Sequence, residues 1–261
     1  MTLSVETCTA QHIGDRSEQQ DRLALLPHPR KPGTLLAVLA DGMGGYAGGA
    51  LAAEQVVHMA RSNFEAAPPS GDSVHEMLAA GIKDAHAGIR LTRYTSEQEP
   101  HSTACLLVLQ PGRADWAHCG DSRIYHFHGG HLVSRSDDHS YVADLVRAGH
   151  LTPSQAERHP QRNILTSCLG AVEAPKIDFG AAQPLSAGDC FMLCSDGLWG
   201  HFRDAEFGEI LAAHPPRRAA ELLIEGARQR AVRYGDNCSL VIVKLVAAAA
   251  PARQPPAAVT Q

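Results

Sequence analysis

The sequence lacks the features that direct a protein to a membrane, to nucleic acid or through a secretory pathway. None of its apolar runs approaches the roughly 20 residues that cross a bilayer. The N-terminus has no basic segment followed by an apolar one, so we expect no signal peptide. No run of lysine or arginine interrupts the net charge of −5, which argues against nucleic acid as a partner. We therefore expect a cytoplasmic protein with no membrane partner.

The seven cysteines also lack the spacing of a zinc site or a disulfide framework. No Cys-x-x-Cys pair is present, and most of the cysteines fall inside apolar, strand-like runs. Free cysteine is among the most buried residue types, so we interpret them as small core residues in a reducing compartment.

What the sequence does have is apolar content, 44% of 261 residues, which is enough for one domain with a full core. The patterns predict helices over 48–64, 72–94, 204–213 and 217–234, and strands over 2–10, 35–40, 104–109, 115–119, 123–127, 131–134, 176–179, 190–195 and 239–246. This order favours an α+β fold, a four-layer α/β/β/α sandwich of two antiparallel sheets with helices on both outer faces. The strands between 104 and 134 predict a single meander.

Two segments differ from these layers. Residues 137–170 predict a small helical insertion, with a short helix over 141–148 and an N-cap at Thr152. Residues 247–261 are alanine, proline and polar residues with little to bury. We predict that they form a disordered tail behind a catalytic domain of residues 1–246.

Four aspartates lie at points where predicted strands begin or end. They are Asp41, Asp121, Asp196 and Asp236. Aspartate and glycine beside an apolar run is a common turn signal, so each of these alone is most simply a turn. The complete set is more informative, because four carboxylates at strand ends can meet at one rim of a sheet.

With Arg16 and Asp21 before them, these motifs resemble the metal-dependent serine/threonine protein phosphatases of the protein phosphatase 2C family, in its bacterial form. The resemblance extends from Ile13 to about Leu245, and no single motif is specific alone. The segments that carry it are 14–21, 40–45, 102–104, 120–125, 138–140, 145–149, 163–166, 195–199 and 236–237.

The resemblance implies hydrolysis of phosphoserine and phosphothreonine in proteins with two Mn²⁺ or Mg²⁺ ions. Asp41 would bridge both ions, the Gly42 carbonyl would bind one, and Asp196 and Asp236 would hold the other. Carboxylate and carbonyl oxygens are hard donors that suit these cations and do not suit zinc or copper. A hydroxide that bridges the ions would attack phosphorus directly, without a protein nucleophile.

The resemblance also implies roles for three further residues. Arg16 would bind the substrate phosphate with its bidentate fork, and Asp21 would support the ions through metal-bound water. Asp121 would hold a third, weaker ion together with Asp196 and so contribute to catalysis with Arg16 and Asp41. The expected partners are phosphorylated proteins and a cognate bacterial serine/threonine kinase, and the expected state is a monomer.

Three positions depart from the pattern of the family. Met43 stands where eukaryotic members have a histidine assigned as general acid, so the leaving oxygen would be protonated by water or left to the metals. Gln20 replaces a frequent glutamate, and Gly200 replaces a frequent aspartate. These changes bear on metal affinity more than on the class of reaction.

Two other functions are compatible with parts of the sequence. Residues 42–47 match the Gly-x-Gly-x-x-Gly/Ala fingerprint of nucleotide-binding proteins, although no parallel strand with an acid is predicted behind the helix that follows. A catalytically weak, phosphatase-like binding module is the second alternative, and the retained Arg16, Asp41, Asp196 and Asp236 argue against it. His126, His128 and His131 have no acidic companion nearby in sequence, so we interpret them as solvated side chains.

Overall fold

The computed structural model describes residues 3–45, 48–66, 73–92, 99–231 and 234–248. The strands are β1 (Leu3–His12), β2 (Arg22–Pro27), β3 (Leu35–Ala40), β4 (Gly42–Met43), β5 (His101–Ser102), β6 (Ala104–Gln110), β7 (Arg113–Cys119), β8 (Arg123–His128), β9 (His131–Arg135), β10 (Asp178–Ala182), β11 (Asp189–Cys194) and β12 (Cys238–Ala247). The helices are α1 (Gly48–Ala66), α2 (Ser73–Thr92), α3 (Tyr141–Arg147), α4 (Pro153–Ala156), α5 (Asp196–Trp199), α6 (Asp204–Ala213) and α7 (Pro216–Arg230).

Two five-stranded antiparallel sheets form the centre of the molecule. One has the strand order β1-β12-β11-β8-β9 and the other has the order β10-β7-β6-β3-β2. The predicted α+β sandwich is thus confirmed. The predicted meander is wrong, because β7 pairs with β6 while β8 pairs with β11 in the opposite sheet. Two hairpins have the same local pattern as a meander, and only long-range pairing separates the two arrangements.

Three apolar layers hold the sandwich together. Leu39, Phe191 and Val243 lie in the layer between the two sheets. Val38 points the other way, into the layer beneath α1 and α2, and Met192 faces the layer beneath α6 and α7. Because both faces of β3 and β11 are covered, these strands are apolar at nearly every position and do not alternate.

The segment 137–170 contains α3 and α4. The Ser140 hydroxyl accepts a hydrogen bond from the Ala143 N–H, and Thr152 forms a reciprocal capping box with Gln155. The extent of the domain and the disordered tail stay predictions: β12 ends at Ala247, one residue past the predicted strand, and residues 249–261 lie outside the described part of the chain.

The interpretation of His126 as solvated is wrong. Its side chain is buried, and Asp189 accepts hydrogen bonds from His126 Nε2 and His128 Nδ1, each at 3.0 Å. The acidic companion is 63 residues from His126 in sequence and is brought beside it by the pairing of β8 with β11. His131 is exposed, as expected.

The seven cysteines are all free, and five of them are buried, as expected for small core residues. No helix in the described ranges is both long enough and apolar enough to traverse a membrane.

Replacing Phe191 by alanine tests the layer between the sheets. The ring is fully buried and stacks on His126 at 4.5 Å, so we expect the free energy of unfolding to fall by about 3–5 kcal/mol in urea titrations. Val133→Ala is the matched control on exposed β9, with an expected change within about 0.5 kcal/mol. Similar effects of the two substitutions would contradict the buried position of Phe191.

Candidate metal centre

The aspartates predicted from sequence converge on one cleft at the edge of the sandwich. Asp41 follows β3, Asp121 lies in the connection between β7 and β8, Asp196 begins α5, and Asp236 precedes β12. The cleft has a volume of about 450 Å³. Its walls include Arg16, Asp41, Gly42, Asp121, Asp196 and Asp236. The structure therefore brings together the predicted residues from both sheets.

The backbone of Asp41 is held on both sides by Thr103. The Asp41 N–H donates to Thr103 Oγ1 at 2.9 Å, and the Thr103 N–H donates to the Asp41 carbonyl at 2.8 Å. Thr103 Oγ1 also lies 2.7 Å from the hydroxyl of Ser122, the neighbour of Asp121. Hydrogen bonds thus join the backbone of one acid to the residue beside another, which leaves the carboxylates free to face the cleft.

Glycine is required at position 42 by a close approach of two backbones. A Cβ atom there would collide with the carbonyl of Gly49 in the first turn of α1 and would lie 2.8 Å from the Gln20 carbonyl. The glycine after Asp41 therefore serves close packing of the chain, which is a structural use distinct from a phosphate-binding loop.

Asp21 lies fully buried behind the cleft. Its Oδ2 accepts a hydrogen bond from Ser195 at 2.8 Å, and Ser195 directly precedes Asp196. Its Oδ1 is buried without a hydrogen-bond partner among the described residues. A buried, unpaired carboxylate oxygen is costly, so its position beside four other acids fits a role in holding a cation or the water bound to one.

Burial and mutual repulsion favour the protonated forms of four acids at the cleft. Burial raises the pKa of Asp21 to about 6 and that of Asp121 to about 7. The pKa values of Asp41 and Asp196 are raised well above the ordinary range, first by burial and then by the neighbouring carboxylates. Divalent cations relieve such repulsion, and the donors are all oxygens, so these residues fit Mn²⁺ or Mg²⁺.

Arg16 lies at the mouth of the cleft, where its Nη2 donates to Asp236 Oδ2 at 2.6 Å. The loop that carries Arg16 is held by Asn237, whose Nδ2 donates to the carbonyls of Ile13 and Glu18 and whose Oδ1 accepts from the Gln20 N–H. The Arg16 side chain is 62% exposed, so it can turn from Asp236 toward a phosphate group in the cleft.

Trp199 and Arg123, which were not predicted as site residues, hold the backbone of Asp121 in place. Trp199 Nε1 donates to the Asp121 carbonyl at 2.9 Å, and the guanidinium of Arg123 lies 3.6 Å from the centroid of the Trp199 ring. Arg123 also forms a two-point ion pair with Asp138. Only the position of Trp199, three residues after Asp196, could have indicated these contacts. Asn163 and Leu165 of the segment 137–170 also line the cleft.

The nucleotide-binding alternative is not favoured by this arrangement. After β3 and the short β4, the chain forms α1 and α2, and the next strand beside β3 is the antiparallel β6. The nucleotide-binding fingerprint requires a βαβ unit, and the described residues around this loop do not form one. Tyr46 and Ala47 of the motif lie outside the described residues.

A cleft of buried carboxylates with an arginine at its mouth is typical of a metal-dependent phosphoester hydrolase. The family model "Protein phosphatase 2C" matches residues 8–216. The chain is 32% identical over 209 residues to protein phosphatase PhpP of Streptococcus pneumoniae, which covers 79% of this chain and 82% of that protein. The chain belongs to the protein phosphatase 2C family.

Solved structures agree with this assignment. The serine/threonine phosphatase of S. agalactiae superposes with a TM-score of 0.83 at 29% identity, covering 94% of this chain and all of that one. The catalytic domain of the serine/threonine phosphatase PstP, solved with two manganese ions, gives a TM-score of 0.77 at 27% identity, covering 94% of this chain and 100% of that chain.

The raised pKa values predict how the stability of the metal-free protein depends on pH. Asp21 and Asp121 bind more protons in the folded protein than in the unfolded chain between about pH 4 and pH 7, so their contribution to the free energy of unfolding in EDTA falls as the pH rises through this window. Asp41→Asn should flatten this slope and stabilise the metal-free protein at pH 7, because it removes one of the repelling charges.

The control is Asp204→Asn, which removes a carboxylate that pairs with Arg135 away from the cleft. It should leave the slope unchanged, and added Mn²⁺ should reduce the slope of the wild type. An Asp41→Asn protein whose stability in EDTA has the same pH dependence as that of the wild type would contradict the proposed repulsion. Urea titrations at each pH measure both quantities.

Proposed function

We propose that the acidic cleft is the catalytic centre of a metal-dependent serine/threonine protein phosphatase. The observation that carries this proposal is the convergence of five aspartates from five separate segments, four of them with pKa values raised by burial. Membership of the protein phosphatase 2C family defines the reaction class, which is hydrolysis of phosphoserine and phosphothreonine in proteins.

The cofactor is Mn²⁺ or Mg²⁺. Asp41, the Gly42 carbonyl, Asp196 and Asp236 are the proposed ligands of two ions, and Asp121 with Asp196 is the proposed site of a weaker third. When bound, divalent ions would lower the pKa of a coordinated water molecule to near neutrality, and they would neutralise charge on the phosphoryl oxygens. Support comes from the all-oxygen donor set and from the two manganese ions of the PstP catalytic domain.

The protein's own groups orient the substrate. Arg16 places two N–H donors at the cleft mouth, where they can bind the phosphoryl oxygens and align phosphorus for in-line attack. Asp21 lies behind the cleft and accepts a hydrogen bond from Ser195. This bond holds the turn that positions Asp196, the next residue. Met43 lines the cleft and has no acidic proton, so the leaving oxygen would be protonated by water or its charge left to the metals.

The substrates are phosphorylated proteins. We propose that a serine/threonine kinase of the same cell produces them, and that the enzyme acts as a monomer in the cytoplasm. Seven free cysteines agree with a reducing compartment. The phosphatase-like binding module is not favoured, because every acid of the proposed centre is present and faces or supports one cleft.

Removal of the metal tests the reaction. Phosphate release from a phosphothreonine peptide should stop in excess EDTA and return with Mn²⁺. Asp196→Asn should reduce turnover by about 10³-fold or more while the fold is retained, since a lost ligand removes an ion from the centre. Malachite green assays and circular dichroism measure the two effects. Full activity in EDTA would overturn the proposal.

Arg16→Ala tests binding of the phosphate group. Loss of a charge-assisted hydrogen bond should reduce kcat/KM about 10- to 100-fold, with the larger part in KM. Arg217→Ala is the charge-matched control, because Arg217 is 90% exposed on α7 and pairs with Glu221 on the same helix. Equal effects of the two substitutions would show that only net charge matters and would remove Arg16 from the site.

A further inference from the structure

Three buried or half-buried side chains beside Asp121 form a cluster that the proposed metal centre does not use. They are His118, His139 and Asp178, and a potential ligand atom from each lies within 4.8 Å of the others. His139 belongs to the start of the segment 137–170, and Asp178 begins β10. By composition the cluster could be a second metal site, but its hydrogen bonds indicate a different role.

The hydrogen bonds of His139 decide where its proton lies. Nδ1 accepts a hydrogen bond from the Gly120 N–H at 3.2 Å, so this nitrogen presents its lone pair and Nε2 carries the proton. Nε2 then donates to Asp178 Oδ2 at 3.1 Å, and Lys176 Nζ lies 2.7 Å from the same oxygen. Binding of a metal ion at Nε2 would require an imidazolate ring, with no proton on either nitrogen, or loss of the hydrogen bond from the Gly120 N–H. These hydrogen bonds therefore argue against a metal site.

His118 supports this arrangement. Its ring stacks on that of His139 with centroids 4.7 Å apart, and its Nε2 donates to the Asp137 carbonyl at 2.8 Å. Burial lowers the pKa of His139, which favours the neutral imidazole that the bond to Gly120 needs. The hydrogen bonds from Lys176 through Asp178 and His139 therefore form a chain that ends on the backbone of Gly120, and the His118 ring stacks against it.

Gly120 is held by His139 through both of its backbone polar groups. Its N–H donates to the His139 ring, and its carbonyl accepts from the His139 N–H at 2.9 Å. Its φ angle is +105°, and a Cβ atom would lie 2.7 Å from Cγ2 of Thr103, so the backbone is confined from that side as well. Asp121 is the next residue, and its carbonyl accepts from Trp199.

We propose that His139, oriented by Asp178, is a positioning residue for Asp121. The imidazole fixes the Gly120 peptide, and the fixed peptide directs the Asp121 carboxylate into the cleft. This inference depends on the proposed function, because it assigns His139 a role through Asp121 and none through direct contact with substrate. The relevant ligand is the divalent cation that Asp121 binds with Asp196.

A double-mutant cycle tests the proposal. His139→Ala should lower kcat about 10- to 100-fold with a small change in KM for the phosphopeptide, and it should weaken the Mn²⁺ binding that calorimetry measures without substrate. In an Asp121→Ala background the same substitution should change kcat by less than about twofold, because its effect passes through Asp121. His139→Asn retains an acceptor for the Gly120 N–H and should recover most of the lost turnover.

The matched control is His126→Ala. His126 is also a buried histidine paired with an aspartate, but its pair lies at the opposite end of β11 from Asp196. It should cost stability and leave kcat and Mn²⁺ binding unchanged. Asp178→Ala, at a side chain that is 38% exposed, should show a weaker form of the His139→Ala effect. If circular dichroism shows that His139→Ala is unfolded, Asp178→Ala tests the same effect of His139 on Asp121.

The outcomes are distinct. An undiminished effect of His139→Ala in the Asp121→Ala background, or an equal kinetic effect of His126→Ala, would overturn the positioning role. Wild-type kinetics in His139→Ala and Asp178→Ala would also overturn it. The wild type is assayed before any His139 variant. If it shows no Mn²⁺-dependent phosphatase activity, the proposed function itself is wrong, which distinguishes that outcome from failure of the positioning role.

Discussion

The structure depends on one electrostatic constraint, which is that carboxylates with a strong mutual repulsion must be held together at the edge of a sandwich. Charges packed this closely would separate if their backbones were free to move. Thr103 fixes the backbone of Asp41, and Trp199 fixes that of Asp121. His139 fixes the backbone of the preceding Gly120, and Ser195 fixes the side chain of Asp21. The hydrogen bonds that hold the backbones of Asp41 and Asp121 do not use the carboxylate oxygens of these two residues.

The two sheets divide the acids between them. Asp21 and Asp41 belong to the sheet that contains β2 and β3, whereas Asp196 and Asp236 lie beside β11 and β12 of the other sheet. Asp121 lies where the chain crosses from β7 to β8, so it joins the two groups. A centre built across two packed sheets is rigid because any relative shift would disturb the apolar layer between them.

The layers, the helices and the acids could be predicted from the sequence because each has a local signature. Continuous apolar runs indicate strands covered on both faces, and an acid at the end of such a run marks a candidate site. The crossing between β7 and β8 could not be predicted, since Gly120 and its neighbours are an ordinary turn in either topology. The partners of His126, His139 and Trp199 were also out of reach, because Asp189, Gly120 and Asp121 are each between 19 and 78 residues away.

The position of β12 has a consequence for the order in which the protein is built. Among the strands of the described residues β12 comes last in sequence, yet it lies between β1 and β11 and follows the turn that holds Asp236 and Asn237. A chain emerging from the ribosome has the first four acids of the cleft but neither the strand that completes the sheet nor the residue that fixes the Arg16 loop. Long-range pairing of this kind forms late and slowly. A chain that stops before Asp236 therefore lacks this acid, Asn237 and the strand that joins β1 to β11.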